Sequence, residues 1–325
     1  MIYKLHCFFA CSNHIPERMR LCDSVDILFE NCGKECQELS MSVNDGAIYS
    51  VKIQSDEKEK ALEAVDLLCA AYTIVSGYNQ YSTEDLLNEL FSEEEKQADI
   101  EFVLCRRECL VLGADWYFAA KMVSRAFGEQ KYKNAICRYH TAHEIVDLHP
   151  LDLHPYEDVG REDPFLTKSI RVSNTIIVCH SILEELGVQI QLKHGEQLLD
   201  ETLNRWSIDA CEKCKRALNN IGINSDEHVY WISRNRMSAS DENQAIDRSI
   251  PAEDEINYGT QDFMISLVDG ILELKRLRNK IGAHKLGDKV LALSLYDAEN
   301  AFALTRLVLL KTIEIDPNEE LPLPE

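Results

Sequence analysis

Glycine, proline and regularly alternating apolar residues are all scarce in this chain. Its 325 residues include 13 glycines and 8 prolines, and segments in which Val, Ile or Thr alternate with polar residues do not recur. A β-sandwich or β-barrel needs many such segments, joined by glycine- and proline-rich turns. The sequence therefore predicts a mainly α protein, and its length suits two domains of ordinary size.

Long apolar runs and glycine-rich loops are also missing. The opening MIYKLHCFFACSNH contains His6, and its apolar run is too short for a secretory signal or a membrane span. We therefore expect a cytoplasmic protein that does not contact a membrane, with its 12 cysteines as reduced core residues. The sequence has no glycine-rich phosphate loop, which argues against kinases and dinucleotide-binding proteins. We predict no cofactor.

Positive charge is in short supply overall but is concentrated in one place. The chain has 34 Lys and Arg against 56 Asp and Glu, a formal net charge of -22, so its far field repels polyanions. The basic segment, residues 271–290, instead has a local charge of +4, because six cations face Glu273 and Asp288 there. Its cations are Lys275, Arg276, Arg278, Lys280, Lys285 and Lys289. Any contact with RNA must therefore be local.

A proline-rich acidic stretch, HEIVDLHPLDLHPYEDVGREDPF, divides the chain. Its prolines and acidic residues interrupt any periodicity, which is typical of an interdomain connection. We place the boundary near 160, between a helix-rich N-terminal domain (1–160) of unknown function, with room for a few short strands, and a C-terminal domain (161–325). In the first domain we predict a strand over 47–54 and one or two long helices over 99–146. A helix between them has a capping box at Asp56 and Glu59.

The C-terminal domain opens with the most regular helical pattern in the chain. Asp163 followed by Pro164 is a typical helix start, and Gly187 is placed to end the helix in a left-handed turn. Apolar residues between them recur at helical spacing, which predicts one buried face. That face comprises Val172, Ile176, Cys179, Leu183 and Leu186.

Three further helices complete the predicted C-terminal domain. They cover about 196–220, about 260–281, and a last segment that begins after Ser294, where Asp297 completes a capping box. The polar, aperiodic stretch 223–258 is predicted to be an inserted loop. Four helices with one such insertion make a helical bundle. The apolar face of the third helix comprises Leu267, Ile271, Leu274, Leu277 and Ile281.

The basic segment contains the residue types needed for RNA cleavage without a metal. A neutral imidazole such as that of His284 can exchange protons with a ribose 2′-OH or a leaving 5′-oxygen. The guanidinium of Arg278 can hold two phosphate oxygens, and Asn279 can orient either partner. Six positions on a continuous helix would point His284 away from Arg278, so we expect the helix to end at Gly282.

A bundle whose third helix ends in Arg278, Asn279, four residues and then His284 resembles the higher-eukaryote and prokaryote nucleotide-binding (HEPN) family. The resemblance covers roughly residues 163–315. The segments SILEELG, RNKIGAHK and LSLYDAENA within it are similar to uncharacterised bacterial members.

This resemblance implies a metal-independent endoribonuclease of a bacterial defence or toxin-type system. Arg278 would hold the phosphate, His284 would be the acid/base and Asn279 would support both. The family site is usually composite, so the resemblance implies a homodimer through the C-terminal bundle, and a regulatory or antitoxin protein is a further expected partner. The cations expected to contact RNA around the site are Arg276, Lys280, Lys285 and Lys289. The alternative is a non-catalytic HEPN-like interaction or oligomerisation module that docks a defence partner protein.

Two other clusters have simpler interpretations. The first is a group of histidines between residues 140 and 154. No cysteine pair accompanies them at zinc spacing, so we predict a polar linker and no metal in this segment. The only Cys-x-x-Cys, Cys211 and Cys214, falls in the middle of a predicted helix, where a redox motif is not expected. The clustered histidines are His140, His143, His149 and His154.

Overall fold

The structure is a computed structural model that describes residues 2–11, 18–35, 47–76, 109–146, 165–233, 239–240, 242–252, 262–283 and 293–316. Two compact units are present: unit 1 comprises Met1–His140 with Ile313–Glu325, and unit 2 comprises Thr141–Thr312. Seven helices supply most of the regular structure of the described residues, so the mainly α fold class is confirmed. The predicted boundary near 160 lies outside the described residues.

Unit 1 is built on a five-stranded sheet. Its strands are β1 (Ile2–Cys11), β2 (Arg18–Cys22), β3 (Val25–Glu35), β4 (Ala47–Ser55) and β5 (Cys109–Leu112), in the order β2-β3-β4-β1-β5. Neighbouring strands are antiparallel except β1 and β5, which are parallel. The predicted strand 47–54 is confirmed as β4. Val25, Ile27 and Phe29 are buried at every second position, as expected for a strand with one face in the core.

Helix α1 (Lys58–Ser76) lies between β4 and β5 in the chain, and α2 (Gly113–Ala126) follows β5. Helix α3 (Gln130–Val146) begins in unit 1 and ends in unit 2. Helix α1 packs on α2 and on β4. Phe118 and Phe127, within the segment 99–146 that is predicted to be helical, are buried.

The predicted helical conformation of 109–112 is wrong. These residues form β5, which pairs with Cys7 to Ala10 of β1. A short apolar run such as CLVL fits a buried strand as well as a helix, so periodicity alone does not separate the two.

The described residues of unit 2 form four helices and two small two-stranded sheets. The helices are α4 (Phe165–Leu186), α5 (Ile208–Asn220), α6 (Leu267–Ala283) and α7 (Leu295–Ile313). The two sheets pair β6 (Leu199–Asp200) with β7 (Arg205–Trp206), and β8 (His228–Trp231) with β9 (Phe263–Ser266), both antiparallel. Helix α6 packs against α4 and α5. Helix α7 also contacts α6, because a Cβ added to Gly270 of α6 would lie 3.1 Å from Leu304 Cδ1 of α7.

The two best-marked helices of unit 2 are confirmed. The predicted inward residues of α4 are all buried, and Gly187 follows the helix with φ +107°. The predicted start of this helix at Asp163 and Pro164 lies outside the described residues. Before α7, the Ser294 N–H donates to Asp297 Oδ2 at 2.9 Å, while the Asp297 N–H donates to the Ser294 carbonyl oxygen at 3.1 Å. One of the two bonds of the predicted capping box, from the Ser294 N–H to the Asp297 carboxylate, is therefore present at the start of α7.

The predicted starts of the other two helices are wrong. Helix α5 begins only at Ile208, because residues 199–206 form the β6–β7 hairpin and Ser207 is the N-cap, accepting from the Ala210 N–H. Helix α6 begins at Leu267 rather than near 260, because the residues before it form β9. The Ser266 hydroxyl caps α6 by accepting from the Asp269 N–H at 3.1 Å.

Candidate functional site

The described part of the basic segment lies on helix α6, and its cations point to different sides of that helix. Leu267, Ile271, Leu274 and Leu277 are buried at helical spacing, so the orientation of α6 is fixed by its apolar face. Cations at successive positions then point in different directions, since each residue turns the helix by about 100°. The described cations of the segment are Lys275, Arg276, Arg278 and Lys280.

Arg276, predicted to contact RNA, lies on the inner side of α6. Its Nε donates to Glu273 Oε2 at 2.7 Å, and a second nitrogen donates to the Ala239 carbonyl oxygen at 2.9 Å. The Arg276 side chain is 12% exposed and that of Glu273 is 0% exposed. Glu273 also accepts from Asn243 Nδ2 at 2.6 Å. The guanidinium therefore joins the 239–243 stretch to α6.

Asp297 of α7 holds the same stretch from another helix. Its carboxylate accepts from the Ala239 and Ser240 N–H groups, both at 3.1 Å, and from the Ser240 hydroxyl at 2.7 Å. Arg248 donates to the carbonyl oxygens of Asn243 and Ser240 at 3.0 and 2.8 Å. We call Asn243, Arg248, Glu273, Arg276 and Asp297 the buried polar network. Through it, described residues of the predicted inserted loop 223–258 are tied to two helices.

Burial dominates the electrostatics of this network. It raises the pKa of Glu273 and of Asp297, while hydrogen bonds from Arg276 and Asn243 to the first, and from Ser294 and Ser240 to the second, act in the opposite direction. Sequence reasoning missed the network because its residues are polar and aperiodic. The one local signal was the i,i+3 spacing of Glu273 and Arg276, which places opposite charges on one helix face.

Arg278 and Lys280 lie on the exposed side of the same helix. Arg278 Nη1 donates to Asn279 Oδ1 at 3.3 Å, so two of the three predicted catalytic residues are in contact. Within the described part of the chain, no carboxylate lies at ion-pair distance from Arg278. This guanidinium is therefore accessible to an anion from solution, in contrast to that of Arg276.

A histidine absent from the sequence prediction lies beside these cations. His180 of α4 is buried, and its Nδ1 is 3.6 Å from Glu184 Oε2, one turn further along α4. Burial lowers the pKa of His180 to about 4, with further contributions from the positive charges of Lys275 and Arg278. Burial also lowers the pKa of Lys275; Glu184 opposes that shift and Arg278 adds to it. Two cations of α6 thus face an uncharged imidazole of α4.

The remaining predicted site residues lie outside the described residues. These are His284, Lys285 and Lys289. Helix α6 continues through Gly282 to Ala283, so the helix end that we predicted at Gly282 is placed too early. His284 is the residue that directly follows α6 in the chain.

The histidine cluster at 140–154 lies partly within the described residues, and the Cys-x-x-Cys at 211–214 lies wholly within them. His140 Nδ1 is 2.9 Å from Thr73 Oγ1, and the His143 ring stacks on Phe302 with centroids 3.8 Å apart. Groups of three or more metal-ligating side chains are absent from the described ranges, where His149 and His154 are not included. On α5, burial raises the pKa of Cys214 to about 12, so this thiol stays protonated.

Among the residues that the structure describes, no helix is both long and apolar enough to cross a membrane. No protein-family model, curated protein or solved structure matches the chain. The resemblance to HEPN proteins therefore rests on the sequence motifs alone.

Proposed function

We propose that this protein is a metal-independent endoribonuclease of a bacterial defence or toxin-type system. The observation that carries the proposal is the state of Arg278. Its guanidinium is exposed on the last turns of a bundle helix, is not engaged by a described carboxylate, and contacts Asn279. A phosphodiester is the ligand that suits such a group, because a planar guanidinium binds two phosphate oxygens at once.

The proposed reaction uses the ribose as its nucleophile. His284 takes the proton from the 2′-OH, and the 2′-oxygen attacks the adjacent phosphorus. The bond from phosphorus to the 5′-oxygen breaks, and that oxygen receives a proton from a second imidazole. In the composite site implied by the resemblance, this is His284 of the partner subunit. Arg278 stabilises the charge that develops on the phosphate oxygens, and the products are a 2′,3′-cyclic phosphate and a 5′-hydroxyl.

The test is cleavage of RNA by the full chain in EDTA. The wild-type chain should release fragments that end in 2′,3′-cyclic phosphate, and Arg278→Ala and His284→Ala should each remove this activity. His194→Ala is the matched control, because His194 is an exposed histidine of the same unit that lies away from α6 in sequence. Equal cleavage by wild type and His284→Ala would sink the proposal.

The alternative is a non-catalytic interaction or oligomerisation module that docks a defence partner protein, and two observations favour it. Arg276, one of the six cations of the basic segment, is used inside the chain, and the net charge of -22 suits a basic protein better than RNA. Under this alternative the chain would form a dimer in sedimentation experiments but cleave no RNA. Its dimer would also survive His284→Ala unchanged.

A further inference from the structure

Two cations of α6 lie on one helix face beside a single carboxylate of α4. Lys275 and Arg278 are three residues apart, a spacing that places their side chains on one helix face. Burial is the main cause that lowers the pKa of Lys275; the carboxylate of Glu184 opposes the shift, and the positive charge of Arg278 adds to it. Lys275 is half-buried against α4, where His180 and Glu184 face it. The carboxylate of Glu184 is the single negative charge among these four groups.

We propose that Lys275 and Arg278, with His180 of α4 beside them, form a subsite that holds one backbone phosphate of RNA. The subsite deepens the proposed ribonuclease function and rests on it, because it names the atoms of the substrate that α6 would recognise. Lys275 was not predicted as a site residue; the sequence indicated only that it belongs to the basic segment.

The balance of charge in this cluster is the physical reason. Two like charges repel each other, and half-burial of Lys275 reduces the water that would screen them. A phosphate between them removes the repulsion and replaces it with two charge-assisted contacts, bidentate from Arg278 and a point charge from Lys275. An uncharged His180 can add a hydrogen bond without adding to the repulsion.

A substitution of Glu184 should change phosphate affinity in the opposite direction to a substitution of Lys275. Its side chain is 41% exposed and its carboxylate competes with a bound phosphate for the same cations. Glu184→Gln should therefore strengthen phosphate binding, whereas Lys275→Met should weaken it. A variant that merely disturbs packing does not gain affinity, so the gain separates the subsite from a structural role.

The measurement is a fluorescence-anisotropy titration of the full chain with a short all-deoxy oligonucleotide, which keeps the phosphates but lacks the 2′-OH that cleavage needs. Lys275→Met and Arg278→Met should each weaken binding roughly 5-fold and reduce the slope of log affinity against log salt by about one. Glu184→Gln should tighten binding by a similar factor. Lys215→Met and Arg216→Met, which remove exposed cations of α5, are matched controls that should change neither quantity by more than the two-fold scatter of the titration.

A second measurement is the pKa of His180, followed by NMR. In the chain labelled with ¹³C-histidine, the His180 resonance, assigned with His180→Gln, should titrate near its pKa of about 4 without oligonucleotide. Addition of the oligonucleotide should raise that pKa, because the phosphate opposes the two cations. Lys275→Met should raise it without oligonucleotide.

The outcomes separate this proposal from the proposed function. Unchanged affinity in Lys275→Met and Glu184→Gln, with a His180 titration that ignores the oligonucleotide, overturns the subsite even if the chain cleaves RNA. The expected changes in affinity and in the His180 titration uphold the subsite even in a chain that cleaves nothing, and in that case the ribonuclease proposal alone is refuted. A wild-type chain that binds no oligonucleotide overturns the subsite.

Discussion

The inner and outer sides of α6 use the same residue type for different purposes. Arg276 lies inside unit 2, bonded to the buried carboxylate of Glu273 and to the Ala239 carbonyl oxygen. Arg278, two positions further on, is exposed and bonded to the side chain of Asn279. Because Arg276 is bonded inside unit 2, the number of cations in the basic segment is larger than the number that a ligand can reach. What decides each residue's role is its direction relative to the apolar face of the helix.

The energetic consequences of the two positions differ as well. An ion pair withdrawn from water is costly to break, because removal of one partner leaves the other charged and unsolvated. An exposed cation contributes little to the free energy of unfolding, because water and salt screen it. The inner side of α6 should therefore govern stability, and the outer side should govern binding.

The largest expected effect is on the inner side. Arg276→Met leaves the Glu273 carboxylate buried without its cation, and should lower the free energy of unfolding by about 3–5 kcal/mol. Urea denaturation followed by tryptophan fluorescence measures it, and Lys215→Met on the exposed face of α5 is the control. A loss below about 1 kcal/mol would show that the Arg276–Glu273 ion pair contributes little to the free energy of unfolding.

The next effect tests how strongly the 239–240 turn is held to α7. Asp297→Asn keeps the shape of the side chain but weakens the hydrogen bonds from Ala239 and Ser240, and should lower the free energy of unfolding by about 1–3 kcal/mol. The N–H groups of Ala239 and Ser240 should also exchange with deuterium faster than in the wild type. Asp226→Asn, at an exposed position, should leave their exchange unchanged.

A smaller effect concerns the pH dependence of stability through Glu299 of α7. Burial raises the pKa of Glu299 on α7 from 4.5 to about 7. The folded state therefore binds this proton more tightly than the unfolded chain does, and the stabilisation from it is complete below pH 4.5 and is lost as pH rises through 7. Glu299→Gln removes this proton equilibrium, so its stability should fall less than that of the wild type as pH rises.

The comparison is best made between about pH 6.5 and about pH 8.5, where His180 is neutral in the folded state and the protonation of histidines in the unfolded chain is the same for wild type and Glu299→Gln. Urea denaturation at both values measures the change, and Glu212→Gln on the exposed face of α5 is the control. An equal fall in stability for wild type and Glu299→Gln would show that Glu299 does not titrate in this range.

The smallest effect on stability is expected on the outer side. Arg278→Met and Lys280→Met should each change the free energy of unfolding by no more than about 0.5 kcal/mol, because both side chains are exposed. The same denaturation experiment tests this. A loss comparable to that of Arg276→Met would remove the distinction between the two sides of α6.

The sequence predicted the elements whose signals are local. Helix α4 was predictable because apolar spacing and Gly187 mark its buried face and its end, and the start of α7 was predictable from Ser294 and Asp297. Strands β1, β2 and β3 were not, because the partners that stabilise a strand lie elsewhere in the chain and its own residues do not identify them.

The candidate site was predictable only in part for a related reason. Periodic apolar residues orient α6, and Glu273 of the same helix binds Arg276. The other groups that hold Arg276 in place are distant in sequence: the Ala239 carbonyl oxygen accepts from it, and Asp297 of α7 holds Ala239. The stretch 239–248 is polar and aperiodic, and it is ordered by buried hydrogen bonds rather than by an apolar face. His180 escaped notice because α4 and α6 meet through tertiary packing, over almost a hundred residues of sequence.

The most direct test of the account is RNA cleavage in EDTA by the wild-type chain and Arg278→Met, compared at the same folded fraction. Because Arg278 is assigned to the phosphate and not to the core, we predict that Arg278→Met lowers the cleavage rate by about 100-fold or more while its unfolding midpoint stays at the wild-type value. Equal rates of cleavage in the two proteins, or no cleavage by either, would contradict the assignment of the outer side of α6 to RNA.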